Sequence, residues 1–391
     1  MKITNQLIFI YIILVHSLLC SCRKDEPILT TNASRTILVY MVAGNSLGTG
    51  NYDTADINEM IAASAADSFN NGRLIIYHAP YGNKPYLMEV KNGQIEILRE
   101  YNQSLPSVTQ ERMQQVIDDT KRLAPANDYG LILWSHANGW LQNGIAEKFK
   151  SNNIKHLKHD SSHLLSFGED KGKSMNITTL NEVIKDEEFS FIYFDCCYMA
   201  SIEVIYELRH ATPYIIASAP EVPANGMPYE YNLPLLFKEI PDLKGACINT
   251  FDYYNCAKGS QRSCAISLLE TKHIEELAKA TAAIYEQQPT LPEGFTPQKY
   301  TLDSNCYYFD FGQYIEALSS SYPTLLNNWH KAFNKVVTYK VATPYMWDKL
   351  KIEYHSGLST YILDSPEYSA IKNYNQLQWW NDVANKLWFN N

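Results

Sequence analysis

The sequence predicts an α/β fold built on a mainly parallel central sheet, followed by a mainly helical C-terminal region. From Ser34 to Val222, strand-like and helix-like segments alternate at the spacing of a parallel sheet with crossover helices. Those strands are almost continuously apolar, as expected when both faces of a sheet are covered. Beyond Gly226 the pattern turns mainly helical.

Each element follows from its residues. Thr36 to Val42 (TILVYMV) is β-branched and apolar and opens the sheet; Gly44 to Gly48 turns the chain; Asp53 to Ala66 carries Ile57, Met60, Ile61 and Ala65 on one helical face. Arg73 to Tyr77 is the next strand, with a hairpin around Lys91-Asn92-Gly93, a helix over Val108 to Leu123 and a strand over Tyr129 to Trp134. A polar stretch from Asn138 to Met175 is the one long irregular segment within the sheet region, and such loops are functional or disordered. A helix over Ile177 to Lys185 has Thr178 or Thr179 near its cap; a strand over Phe189 to Phe194, a helix over Met199 to Arg209 and a strand over Tyr214 to Ser218 follow. Farther on, helices are expected over Leu268 to Glu286, Phe311 to Leu318 and Leu325 to Val337, and a last strand over Leu358 to Leu363. The sequence holds no internal repeat, glycine-rich phosphate loop or heptad pattern.

At 391 residues the chain can bury a large core. A net charge of -9, with no Lys/Arg run longer than two, argues against nucleic acid as a partner, because phosphate binding needs concentrated basic surface. Its 28 tyrosines suit extracytoplasmic or carbohydrate-rich surroundings. Lys2 and the apolar run from Leu7 to Leu19, broken by His16 and Ser17, are too short for a membrane span and read as a signal peptide. Leu19-Cys20-Ser21-Cys22 resembles a bacterial lipobox; Cys22, preceded by a small residue, is the expected lipidation site. Arg23-Lys24-Asp25-Glu26 resembles the charged tag that sends lipoproteins of Bacteroidetes-type bacteria to the outer face of the outer membrane; an ordinary secretory signal is the alternative. The expected organisation is a lipoprotein signal peptide over 1–22, a tether over 23–34, a core over 35–230 and a mainly helical part of the same unit over 231–391. The location expected is the cell envelope, at the outer membrane and exposed on its surface. The other cysteines, Cys196, Cys197, Cys247, Cys256, Cys264 and Cys306, lack the spacing of a disulfide framework. Cys247, Cys256 and Cys264 are read as small buried hydrophobes, with one bridge among them as the alternative.

Ligands of an open parallel sheet bind beyond the carboxyl ends of its strands. Two such ends stand out: Trp134-Ser135-His136-Ala137-Asn138-Gly139-Trp140 and Phe194-Asp195-Cys196-Cys197. A His and a Cys at two strand tips can pair as base and nucleophile, since that chemistry needs spatial and not sequential adjacency. The helix expected directly after Cys197 would favour its thiolate and offer N–H groups to a developing oxyanion.

These residues resemble a known family. FDCCYMASIEVIYEL is similar to the FDACLMASVEVAYEL-type block of the clostripain family of cysteine peptidases, and LILWSHANGW to its strand-then-HGxGW histidine block. VYMVAGNSLG with TADINEM, ASAPEVPANGMPY, YYFDFGQYIEAL and SGLSTYIL resemble further blocks, so the likeness runs over about residues 35 to 390. It implies a caspase-like αβα sandwich, with His136 as base and acid, Cys197 as nucleophile, and the N–H groups near Ala137 and Cys197 as oxyanion donors. It places Asp195 in the S1 pocket, where a carboxylate selects Arg or Lys; a helix-capping acid is the alternative. Cys196 stands at the family's alanine position and is expected to point into the core, since a Cys196–Cys197 disulfide would be strained.

Two departures from the family pattern stand out. Ala137 replaces a glycine and would be strained at φ > 0. Ser218-Ala219-Pro220-Glu221 lacks the acid that the family places directly after the serine, so Glu221 substitutes for it beside Ser218, or basic selectivity is lost.

The resemblance thus implies an exported cysteine endopeptidase cutting after Arg or Lys. Its partners would be protein or peptide substrates, with the membrane met only through the lipid anchor, and the chain is expected as a monomer. No cofactor is implied; calcium activates family members, although no calcium loop is visible. The lysine-rich stretch with Lys148, Lys150, Lys155 and Lys158 is either cut on maturation, as in related peptidases, or an uncut loop. His156, His159, Asp160 and His163 fall at helical spacing for a metal, but Lys155 and Lys158 around them suit a solvated loop, and no metal is assigned. The rival to the enzyme is a surface lipoprotein, catalytically weak or inactive, that keeps the fold as a binding module, and Ala137 is the residue that suggests it.

Overall fold

The computed structural model describes residues 32–66, 68–141, 166–302, 306–362 and 374–387. Cys22, and the stretch with Lys148, Lys150, Lys155, Lys158 and the histidine group around Asp160, lie outside the described residues. The first half of the chain runs β1 (Thr36–Val42), α1 (Ser46–Thr49), α2 (Tyr52–Ala65), β2 (Arg73–Ala79), β3 (Tyr86–Lys91), β4 (Gln94–Glu100), α3 (Gln110–Leu123) and β5 (Tyr129–Trp134). The hairpin β6 (Phe167–Asp170) and β7 (Lys173–Met175) follows, then α4 (Ile177–Ile184), β8 (Phe189–Asp195), α5 (Ile202–Glu207) and β9 (Tyr214–Ala217). The rest comprises α6 (Tyr229–Leu236), α7 (Leu243–Asn255), β10 (Ala265–Glu270), α8 (Ile274–Tyr285), β11 (Phe309–Asp310), α9 (Phe311–Leu318), α10 (Pro323–Val336) and β12 (Val337–Ala342). A small hairpin of β13 (Tyr345–Met346) and β14 (Leu350–Lys351), then β15 (Ser359–Thr360) and α11 (Gln378–Asp382), complete it.

Nine strands form one sheet in the order β12-β10-β9-β8-β5-β1-β2-β3-β4. The central strands from β9 to β2 pair in parallel, and antiparallel pairs close both edges. All seven residues of β1 are buried, and they alternate between two cores. Leu38, Tyr40 and Val42 pack with Met113 and Val116 of α3, Leu180 of α4 and Ile205 of α5. Ile37, Val39 and Met41 pack with Ile57 and Met60 of α2 and Leu233 of α6. The result is the three-layered αβα sandwich that the apolar strands predict. The β3–β4 turn falls where expected, with Asn92 at φ +52° and Gly93 at φ +72°, the left-handed pair that a two-residue hairpin favours.

Several boundaries differ from expectation. The Leu268–Glu286 stretch is divided: β10 pairs antiparallel with β9 and β12, and only Ile274–Tyr285 is helical. Short apolar runs carry no period that separates strand from helix, and the exposed edge of β9 decides this one. α4 is entered from Asn176 rather than capped by Thr178 or Thr179. The helix expected over Met199–Arg209 begins at Ile202, because the Ser201 hydroxyl caps it by accepting the Val204 N–H at 3.3 Å. Cys247 and Cys264 are buried and free, but Cys256 at the end of α7 is exposed, so it is not the buried hydrophobe the sequence suggested.

The C-terminal part braces the chain that follows β8. Ser359 N donates to Ala200 O at 2.9 Å, and the buried Glu203 Oε1 accepts from Tyr361 N, Thr360 Oγ1 and Tyr374 Oη. From β1 the chain steps to β2 on one side and, later, to β5 on the other. The carboxyl ends of β1 and β5 therefore flank the switch-point crevice where ligands of such sheets bind. Among the described residues no helix is long and apolar enough to cross a membrane.

Candidate active site

His136 and Cys197 leave the tips of two neighbouring strands. β5 and β8 run parallel with Trp134 opposite Asp195, and each of these residues is followed, two positions on, by the histidine or the cysteine. The histidine tip is fixed from β1. His136 Nε2 lies 2.7 Å from Ser46 Oγ, and Ser46 opens α1 just past β1. Asn45 Oδ1 accepts from Leu47 N at 2.9 Å, while its Nδ2 donates to Val42 O and Glu169 O. Ser135 Oγ donates to Val42 O at 2.8 Å, and Gly168 N donates to His136 O at 2.9 Å. Side-chain and main-chain bonds thus tie β1, β5 and the β6–β7 hairpin around one imidazole.

Ala137 forms an antiparallel bridge with Phe167, carried by Asn138 N to Ser166 O and Gly168 N to His136 O, so the bridge makes no use of the Ala137 N–H. Nor is Ala137 left-handed: the positive φ values at the two tips belong to Gly139 (+54°) and Tyr198 (+63°). The strain anticipated at Ala137 falls instead beside Cys197, on a bulky residue that rarely adopts such a conformation. Tyr198 is held there by its N–H to Pro220 O at 3.0 Å, by its hydroxyl to Glu221 Oε1 at 3.0 Å, and by stacking on Tyr308 at 4.5 Å between centroids. Tyr308 Oη in turn donates to Asn138 O at 2.6 Å. Only glycine fits at 139, since a Cβ there would lie 2.8 Å from Tyr198 O and 2.9 Å from Tyr308 Oη. One tyrosine therefore clamps the cysteine and histidine loops together.

The two adjacent thiols are separated. Cys196 Sγ is buried and donates to Leu133 O at 2.9 Å. Cys197 is half-buried, and its Sγ accepts from Val222 N at 3.3 Å. Burial first, and the Glu221 carboxylate second, push the Cys197 thiol up to about 12, so in this conformation it is a protonated, resting thiol. α5 begins too far along to favour its thiolate, which corrects the expectation of a helix mouth at the sulfur.

Asp195, Ser218 and Glu221 line one cavity, together with Gly226, Met227 and Tyr254. Asp195 does not cap α5. Its Oδ2 accepts from Met227 N at 3.0 Å and Tyr229 Oη at 2.9 Å, and burial raises its carboxyl above the usual range. Ser218 Oγ is buried with no hydrogen-bond partner among the described residues. Glu221 is exposed and bonded to Tyr198. Sequence reasoning missed Ser46, Val222 and Tyr308. Ser46 alone carried a usable signal, because it too lies just beyond a strand end at the crevice.

The sequence model described as Clostripain family, Peptidase_C11, matches residues 39–390. The chain belongs to the clostripain family. No curated protein matches it. Among solved structures, it is similar to an inactive zymogen C11 protease from Parabacteroides distasonis, at 28% identity over 91% of this chain and 99% of that one, with a TM-score of 0.76. A secreted C11 cysteine protease from Bacteroides thetaiotaomicron, in complex with an irreversible peptide inhibitor, is 27% identical over 90% and 99%, with a TM-score of 0.75. A clostripain from Bacteroides thetaiotaomicron, in complex with the peptide inhibitor BTN-VLTK-AOMK, is 28% identical over 55% of this chain and 97% of that one, with a TM-score of 0.50. The αβα sandwich is thus the caspase-like fold of the clostripain family, and the chain is a cysteine-type peptidase.

Proposed function

We propose that this chain is an exported cysteine endopeptidase that hydrolyses peptide bonds after Arg or Lys, using His136 and Cys197 as its dyad. The observation that carries this reading is the juxtaposition of the two residues at the tips of paired strands, beside a cavity lined by Asp195. Ser46 Oγ, 2.7 Å from Nε2, holds the orientation of the imidazole that takes the Cys197 proton. The thiolate attacks the scissile carbonyl, the N–H groups of Ala137 and Cys197 receive the oxyanion, and the imidazolium returns its proton to the departing amine. Water then hydrolyses the acyl-enzyme by the same base. Substrate entry has to lift the Val222 main chain from the sulfur, and because that N–H favours the thiolate, ionisation then depends on transfer of the proton to His136.

A basic residue before the cleaved bond meets Asp195, with Ser218 as a polar partner and Glu221 at the exposed side. The inhibitor of one neighbour, written VLTK before its AOMK group, is in keeping with lysine at that position. Export is supported by the apolar N-terminal run and Cys22, and by a neighbour described as secreted. Matched fluorogenic peptides with Arg, Lys or norleucine before the bond test the proposal. The Arg and Lys peptides should be cut at least tenfold faster, and Asp195→Asn should erase most of that preference. Equal rates on all three would refute basic selectivity.

A further inference from the structure

A second buried carboxylate lies behind the cavity wall. Asp56 of α2 is 1% exposed, and its Oδ2 accepts from Trp134 Nε1 at 2.6 Å. Gly226, at φ +62°, separates it from the cavity. A Cβ on that glycine would fall 2.6 Å from Asp195 Oδ2 and 3.1 Å from Asp56 Oδ2, so both carboxylate oxygens crowd the same face of Gly226 and leave no room for a side chain there. The groups facing the pair are Glu59 and Asp53 of α2, Tyr193 of β8, Tyr229 of α6 and Tyr254 of α7, with Cys196 and Cys197 beyond Asp195. Those groups are acidic, phenolic or thiol. His78 of β2 is hydrogen-bonded at 2.8 Å to Asp53, one helical turn away. Buried carboxylates so arranged need either a counter-charge or a shared proton. An independent sign of a missing ligand is Ser218 Oγ, which belongs to a residue only 4% exposed, lines the cavity and has no partner among the described residues. The site is short of a cation that also hydrogen-bonds.

We propose that Asp56 is the second carboxylate of the basic-residue pocket, acting with Asp195 across Gly226, and that the ammonium or guanidinium of the substrate is the counter-charge the pair lacks. This rests on the reading that Asp195 receives the basic side chain. In the empty pocket the pair holds a proton: burial first, and then the charge of Asp195, raise Asp56 far above the carboxylate range, and burial raises Asp195 less. Entry of the cation reverses the balance. Asp56 releases its proton to solvent, and the guanidinium lies against the Asp195 anion with the Asp56 anion behind it, across Gly226. Because binding releases a proton, the pocket takes a cation more tightly as pH rises, until Asp56 is ionised even when the pocket is empty.

The test is the ratio of kcat/KM for matched Arg and norleucine substrates, measured from about pH 6 to 9, a range in which Arg stays charged. Ionisation of the dyad affects both substrates and cancels in the ratio. The ratio should climb by up to about tenfold per pH unit, and Asp56→Asn should flatten the climb and lower the alkaline ratio at least tenfold. Trp134→Phe, which removes a hydrogen bond that favours the Asp56 anion, should move the climb to higher pH. A strong Arg preference that is flat across the range overturns the proposal without any variant, and so does a climb that persists in Asp56→Asn. No Arg preference at any pH instead sinks the underlying reading of Asp195, and the role of Asp56 with it.

Discussion

Cys196 and Cys197 have opposite surroundings one residue apart, and their variants should separate accordingly. Cys197→Ala should lower peptide hydrolysis at least about 1,000-fold while leaving the melting temperature nearly unchanged. Cys196→Ala should retain hydrolysis but lose about 1–3 kcal/mol in urea unfolding, because it removes buried volume and the bond to Leu133 O. Gly139→Ala, forced into contact with Tyr198 O and Tyr308 Oη, should pull the histidine loop off its clamp and cut kcat more than it raises KM. His136, Cys197 and Asp195 were legible in the sequence because each sits at a strand end, a position that the alternation of apolar runs locates within a residue or two. Val222 and Tyr308 were not, since their roles depend on loops from distant parts of the chain meeting at the sulfur and at Asn138. The residue that bears the strain was also misplaced, because no pattern marks a left-handed tyrosine.

Among the elements, α5 best separates what the sequence carried from what it hid. Its apolar face was plain, but Met199 and Ala200 look equally helical in sequence and lie before the helix, where Ala200 N donates to Ser218 O and Ala200 O accepts from Ser359 N, both at 2.9 Å. The cap signal at Ser201 was present and decides the boundary. Ser201→Ala should cost about 1 kcal/mol in urea unfolding and shift little of the activity, as expected of a cap placed four residues beyond Cys197. β10 failed in the other direction: Ile266 to Leu269 are apolar in a way that suits a helix or a buried strand, and only the open edge of β9 chooses. The β3–β4 hairpin was read correctly because Asn92-Gly93 carries its own backbone geometry.

For the molecule as a whole, folding buries some carboxyl groups beside cations, as with Glu89 on Arg73 and Asp119 on Arg99, and others among hydrogen-bond donors that carry no charge, as with Glu203. Glu203 is fully buried, and burial raises it to about 7 against the opposing bonds from Tyr361, Tyr374 and Thr360. The folded state therefore holds this proton more tightly than the unfolded chain does. Its contribution to stability is complete below about pH 4 and is lost, by about 1 kcal/mol per unit, as pH rises through about 7. Melting temperatures measured between those limits should fall with pH, and Glu203→Gln should flatten that part of the profile. Glu203 lies on the helix after Cys197 and is bonded to the C-terminal segments, so the part of the chain read from sequence as mainly helical also braces the loop that carries Cys197.

The central claim is that Cys197, served by His136 and beside an acidic cavity, is the nucleophile of an Arg/Lys-directed peptidase. The most direct measurement is stoichiometric labelling of the purified chain by an acyloxymethyl ketone carrying Lys or Arg, under reducing conditions with and without calcium, with the labelled site mapped by mass spectrometry. One label per chain is expected on Cys197, lost in Cys197→Ala and His136→Ala and retained in Cys196→Ala. Labelling that survives Cys197→Ala, or no labelling under any of these conditions, would contradict the account.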